Sequence, residues 1–232
     1  MEKIPSLFKC GTLASRPESG EAVVVVGGLS LFEGITLPAC EMDRARSISS
    51  IEARGRFLAA RRLVRGVLSA WFTMEGSDVP IQLSDGGKPY VAVKAMPRFS
   101  ISHSADLVAA VFYESDAGID LEVERSLDHV ALARRFFSQQ EAQLVASSEN
   151  SSLFFRLWTS REAAIKASGK GMASLLESTR VTGDAGERVR VDCGGASWEV
   201  ISWEMTGGYH AAVALADTPR AIRWCDLRTV LG

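Results

Sequence analysis

Hydrophobic and polar positions alternate through much of the first half of this 232-residue chain, and the pattern changes character near residue 128. The apolar run at 21–26 predicts a strand, followed by a glycine-rich loop. Residues 52–71 then repeat apolar positions at three- and four-residue spacing through Phe57, Ala60, Val64, Val67, Leu68 and Trp71, which predicts an amphipathic helix with that stripe buried. Residues 81–93 predict a hairpin turning at Asp85-Gly86-Gly87, with Pro89 at an edge or at the start of its second strand. Strands are expected at 98–102 and 107–113, and again from Gly118. From Asp128 the period is helical: one helix opens with Val130, Leu132, Phe136 and Phe137. A second is announced by Ser138-Gln-Gln-Glu141, in which Ser138 caps and Glu141 reaches back. A third spans 153–167 and stops at Gly169 or Gly171. Strands return at 188–192, 198–205, 209–215 and 221–227.

Two stretches echo each other. The string from His103 to Val111 precedes Gly118-Ile-Asp-Leu121 much as Gly207 to Val213 precedes Trp224-Cys-Asp-Leu227. The echo predicts an α+β chain of two similar halves, 1–116 and 117–232.

Candidate chemistry sits in the second half. In Gly118-Ile-Asp-Leu-Glu122 the acids alternate with apolar residues, so Asp120 and Glu122 share one strand face. Neighbouring carboxylates repel unless one is protonated or a cation lies between them. A hard cation held with water and phosphate oxygens, such as Mg²⁺, resolves that repulsion. Trp158, Glu162 and Lys166 fall on one face of the third helix, leaving a carboxylate and an ammonium one turn apart.

Composition adds limits. A hydrophobic share of 47% with net charge −2 describes a globular protein. It argues against a dedicated nucleic-acid binder. The run at 22–26 is far too short to span a membrane. Cys10, Cys40, Cys193 and Cys225 form no C-x-x-C pair, and a cytoplasmic protein is expected. Charge is uneven, however: arginines stand at 44, 46, 54, 56, 61, 62 and 65 with Glu52 as the only acid between them. Arg54, Arg61 and Arg65 would line one helix face, a positive surface suited to phosphate or to an acidic protein.

Five strings occur in order: Gly87-Lys-Pro89, Phe99-Ser-Ile-Ser-His-Ser104, Gly118-Ile-Asp-Leu-Glu122, Phe136-Phe-Ser-Gln-Gln-Glu141 and Trp158-Thr-Ser-Arg-Glu-Ala-Ala-Ile-Lys-Ala-Ser-Gly169. Together they resemble the 4′-phosphopantetheinyl transferases, specifically the larger, monomeric, surfactin-synthetase-activating type. The resemblance implies two pseudo-symmetric α/β halves with coenzyme A and Mg²⁺, or Mn²⁺, in the cleft between them. It implies transfer of phosphopantetheine to a serine of an apo acyl or peptidyl carrier protein, leaving adenosine 3′,5′-bisphosphate. Asp120, Glu122 and Glu162 would hold the metal; Asp120, Glu162 and Lys166 would carry the chemistry. Lys88, Pro89, Ser102, His103 and Arg161 would contact coenzyme A. Arg61 and Arg62 would grip its adenosine-side phosphate, with Arg46 and Arg54 as further candidates.

Two other readings use the same residues. A hydrolase could be built from Ser102 or Ser104, His103 and Asp120, but adjacent strand residues face opposite ways and no G-x-S-x-G elbow is present. A non-catalytic module gripping acidic carrier proteins through its arginines would leave the three carboxylates without a role.

Overall fold

The computed structural model describes residues 8–10, 13, 15–171, 175–182 and 186–228. In chain order the strands and helices are β1 (Phe8–Cys10), β2 (Glu21–Gly28), α1 (Ala39–Arg46), α2 (Ile51–Phe72), β3 (Ile81–Leu83), β4 (Pro89–Val91), β5 (Arg98–Ser104), β6 (Leu107–Tyr113) and β7 (Ala117–Val123). They continue with α3 (His129–Phe136), α4 (Gln139–Ala146), α5 (Ser152–Ser168), β8 (Arg180–Thr182), β9 (Arg188–Cys193), β10 (Ala196–Met205), β11 (Tyr209–Leu215) and β12 (Ala221–Asp226).

Two five-stranded sheets collect most of the strands, in the orders β1-β12-β2-β6-β5 and β7-β11-β10-β9-β8. In both, a strand followed by a helix pairs antiparallel with the second strand of a later hairpin: β2 with β6, and β7 with β11. The mixed α+β architecture is the one expected. The boundary expected at 116–117 falls between β6 and β7. One strand from beyond it, β12, nonetheless joins the first sheet, parallel to both β1 and β2.

Alternation decides the layers. Val24, Val26, Val111, Ile119, Leu121, Val213 and Trp224 are buried in a core contributed by both sheets. The opposite face of β2 and β6 packs Val23, Val25 and Phe112 on Leu63, Val64, Val67 and Leu68 of α2. The second sheet's other face packs Val191, Val200 and Ala212 on Ala163, Ala164 and Ala167 of α5. Removing this much aliphatic surface from water, at about 25 cal/mol per Å², is the main favourable term holding the layers together.

The α2 stripe differs from the expected one. Phe57 and Trp71 are only half-buried, while Ala59 and Leu63 are fully buried. Arg65, expected on an exposed basic face, is 2% exposed. Its Nε and Nη2 donate to the Glu41 carboxylate at 2.8 and 3.0 Å, and its Nη1 donates to the carbonyls of Gly76 and Val79 at 2.8 Å each. Glu41, on the preceding helix, is the partner that makes this burial tolerable.

Candidate active site

Glycine at position 118 sets the geometry of the cleft. A Cβ there would lie 2.0 Å from the Ala163 carbonyl oxygen and 2.5 Å from the Ala167 nitrogen. The absence of a side chain therefore lets α5 rest directly on β7. Gly118, Asp120 and Glu122 share one face of β7 by alternation, so the approach that glycine permits brings the α5 face bearing Glu162 and Lys166 onto the two acids. Lys166 Nζ donates to Asp120 Oδ1 at 2.6 Å and to Ser102 Oγ at 3.0 Å. Glu122 Oε2 is held by Arg125 Nη1 at 2.7 Å and by Ser104 Oγ at 3.0 Å.

The carboxyls are perturbed as crowded acids are. Burial raises the Asp120 pKa, against the pull of Lys166 and a hydrogen bond from Ser102. Glu162 is pushed up to about 8, first by burial and then by the Asp120 charge, and a hydrogen bond with Asp120 favours its protonated form. Asp120 Oδ2 is buried without a donor. Among the described residues no three carboxylate, histidine or cysteine side chains form a closed metal cage. What stands there is an acid pair, Asp120 with Glu162, and Glu122 beside it close enough for its charge to raise both pKa values.

Lys88, expected to contact coenzyme A, commits part of its ammonium within the chain. Nζ donates to the carbonyls of Ala117 at 3.1 Å and Ala167 at 3.0 Å. It thereby ties the β3–β4 hairpin to the start of β7 and to an unpaired carbonyl at the C-terminus of α5. Burial lowers its pKa, with the Asp116 charge opposing. A cavity of about 210 Å³ opens beside it, lined by Gly86, Lys88, Pro89, Ile165, Lys166 and Gly169 among others. Two of the three N–H groups of each lysine are engaged, so each keeps one.

Ser102 and His103 lie on opposite faces of β5. Ser102, expected to contact coenzyme A, is 6% exposed, and its hydroxyl donates to Asp120 Oδ1 at 3.0 Å while accepting from Leu121 N at 3.2 Å and Lys166. The hydroxyl is thus fully committed inside the protein, and no Ser–His relay exists for a hydrolase. His103 is exposed on the other face, with its pKa lowered by desolvation and by the charges of Lys166 and Arg56. Arg56 is a neighbour that spacing did not single out from its six companions. Only the fold, by laying α2 along this face of β5, sets it apart.

Arg161, expected to contact coenzyme A, is 0% exposed. Its Nη1 meets both Glu141 oxygens at 3.1 and 3.2 Å, and its Nη2 meets the carbonyls of Phe136 and Leu176 at 2.5 and 2.6 Å. Glu141 also completes the capping box with Ser138 and accepts from Val181 N at 3.1 Å. The Phe136-to-Glu141 string is therefore a joint between α3, α4, α5 and β8, and Arg161 is part of that joint.

The remaining arginines do not converge on the Lys88–Lys166 cavity. Arg46 pairs with Asp43 at 2.6 Å on the surface, and Arg54 donates to the Ile48 carbonyl at 3.1 and 2.8 Å. Arg61 lies over Phe57, 3.9 Å from Glu41. Arg62 lines a different cavity of about 480 Å³, with Gly28, Gly55 and Asp106.

Comparison with known proteins agrees with this architecture. The model of the 4′-phosphopantetheinyl transferase superfamily matches residues 116–214, the stretch that carries the carboxylates and α5. The chain is 30% identical over 196 residues to the 4′-phosphopantetheinyl transferase Sfp of Bacillus subtilis strain 168, a match covering 82% of this chain and 87% of Sfp. It is 31% identical over 168 residues to psf-1 of Bacillus pumilus, covering 70% and 71%. To HetI of Nostoc sp. strain PCC 7120 it is 37% identical over 150 residues, 61% of this chain and 63% of that protein. The chain belongs to the 4′-phosphopantetheinyl transferase family.

Proposed function

We propose that this enzyme moves the phosphopantetheine arm of coenzyme A onto a serine of an apo acyl or peptidyl carrier protein, with Mg²⁺ held by Asp120, Glu122 and Glu162. The observation that carries the reading is the buried, donorless Asp120 Oδ2 beside a second carboxyl whose pKa is pushed up to about 8. An all-oxygen set that is short of one positive charge fits a hard divalent cation. Mn²⁺ satisfies the same donors. When bound, the metal supplies charge neutralisation at phosphate oxygens.

The chain's own residues do the rest. Lys88 and Lys166 line the cavity with an N–H to spare on each, and there they orient the diphosphate and stabilise charge developing on the leaving group. The carrier's serine oxygen bonds to the pantetheine-side phosphorus. The P–O bond to the adenosine-side phosphate breaks, and adenosine 3′,5′-bisphosphate departs with the electron pair. Glu162, its carboxylate kept ionised by the cation it would hold, takes the serine proton. The nucleophile arrives on the partner, so the enzyme needs none of its own. The α2 arginines Arg56, Arg61 and Arg62 form the positive surroundings for the nucleotide end, and His103, its pKa lowered, stands beside Arg56 as a neutral hydrogen-bonding group.

The reading places the division of labour between halves 1–116 and 117–232, with the cleft at their junction. No helix of the described residues is long and apolar enough to cross a membrane. Cys40 and Cys193 are free thiols among the described residues, which suits a protein working in the reducing cytoplasm, and we take it to act as a monomer. The test is the intact mass of apo carrier proteins incubated with the enzyme, coenzyme A and Mg²⁺. Gain of one phosphopantetheinyl group is expected; unchanged mass across acyl and peptidyl carriers overturns the proposal.

A further inference from the structure

The two sheets meet along β5 and β7 without a backbone ladder between them. Three serine hydroxyls take its place. Ser100, Ser102 and Ser104, alternate residues on one face of β5, accept hydrogen bonds from the backbone N–H of Ile119, Leu121 and Val123 at 3.2, 3.2 and 3.1 Å. Each serine reaches an amide 19 residues on. A hydroxyl that accepts in this way still has a proton to give. The residues 18 further on are Gly118, Asp120 and Glu122. Ser102 and Ser104 use that proton on the two carboxylates, at 3.0 Å to Asp120 Oδ1 and 3.0 Å to Glu122 Oε2. Ser100 faces Gly118, which has no side chain to receive it.

The contacts are one-sided. Lys166 and Ser102 both fall on Asp120 Oδ1, leaving Oδ2 bare. Arg125 and Ser104 both fall on Glu122 Oε2. A donor fixed to one oxygen of a carboxylate sets the rotation of the whole group and so aims the other oxygen. An acid that must meet a cation or phosphate within a few tenths of an ångström gains from such fixing.

We propose that Ser102 and Ser104 are positioning residues that aim the free oxygens of Asp120 and Glu122, using the same hydroxyls that join the two sheets. This rests on the reading of Asp120 and Glu122 as a divalent-cation seat. The seam makes the carboxylate geometry depend on the fit between the halves: displacement of β5 relative to β7 shifts the serine donors against the acids they hold.

Ser100 supplies the comparison, because Ser100→Ala removes a seam bond and touches no acid. The experiment measures Mn²⁺ binding by electron paramagnetic resonance, with coenzyme A present, for wild type, Ser100→Ala, Ser102→Ala and Ser104→Ala. Asp120→Asn serves as the background, and thermal melts are run on each metal-free protein. All three serine variants are expected to melt lower. Ser102→Ala and Ser104→Ala are expected to bind Mn²⁺ about 10-fold more weakly, with Ser100→Ala within about twofold of wild type. Should Ser102→Ala fail to fold, Ser104→Ala, at the more open end of the seam, carries the comparison. Equal weakening by Ser100→Ala, or wild-type affinity in Ser104→Ala, overturns the positioning role while leaving the seat intact. Wild-type binding no stronger than Asp120→Asn overturns the seat itself, and the inference with it.

Discussion

Lys166 Nζ lies 2.6 Å from Asp120 Oδ1, and this contact is the counter-charge that allows a carboxylate to sit 2% exposed beneath α5. Lysine reaches it because α5 packs on β7 without an intervening side chain at Gly118. Lys166→Ala is expected to destabilise the protein by about 3 kcal/mol, since it leaves a buried acid unpaired. The double variant with Asp120→Asn should lose less than the sum of the single losses. Urea melts of the four proteins check this.

Glu162 gives a pH dependence with a definite sign. Its pKa in the folded, metal-free protein is pushed up to about 8 from its ordinary value of 4.5, by burial and by Asp120. The folded state therefore holds a proton that the unfolded chain releases. Its contribution to stability is fully present below pH 4.5 and is lost as pH rises toward 8. Glu162→Gln should abolish transfer yet stabilise the metal-free protein at pH 8 by on the order of 2 kcal/mol relative to wild type. The advantage should vanish near pH 4. Denaturant melts at both pH values, with chelator present, read the difference.

Gly118→Ala should be among the most damaging single methyl additions in the chain. The added carbon meets backbone of α5, which cannot turn aside as a flexible side chain would. A loss of about 2–4 kcal/mol is expected. In whatever fraction folds, α5 should stand off β7, so transfer should fall with kcat rather than with KM for coenzyme A.

Arg161→Met separates a joint from a ligand contact. Leaving Glu141 buried without its guanidinium should cost about 3–5 kcal/mol in thermal or urea stability. Coenzyme A affinity, measured by calorimetry below the melting range, should stay at the wild-type value.

Much of this fold is legible in the sequence, because its elements announce themselves locally. Alternation marks β7, three- and four-residue spacing marks α2 and α5, and Ser138 with Glu141 forms the capping box that its letters suggest. The two strand acids are legible too, since Asp120 and Glu122 face alike on any strand. What spacing could not tell is which charges are spent internally. Arg65 reads as a cation on a basic helix face and Arg161 as a coenzyme A contact, but each finds a carboxylate far away in the chain, Glu41 and Glu141, and is buried on it. Ser102 reads as a coenzyme A contact through the family resemblance alone. Its hydroxyl's partners within the chain lie on β7 and α5, and only the meeting of the two sheets brings them near. The β12 strand crosses into the first sheet for the same kind of reason: its partner β2 is set by tertiary packing.

The central claim is the proposal that Asp120 holds the cation that neutralises the reacting phosphates. Its most direct test is the rate of phosphopantetheine transfer to a carrier protein by wild type and Asp120→Asn, titrated with Mg²⁺, with circular dichroism reporting the fold. The account predicts an unchanged spectrum and a loss of at least about 10³-fold that added Mg²⁺ does not restore. Transfer by Asp120→Asn at the wild-type rate and with the wild-type Mg²⁺ dependence would contradict it.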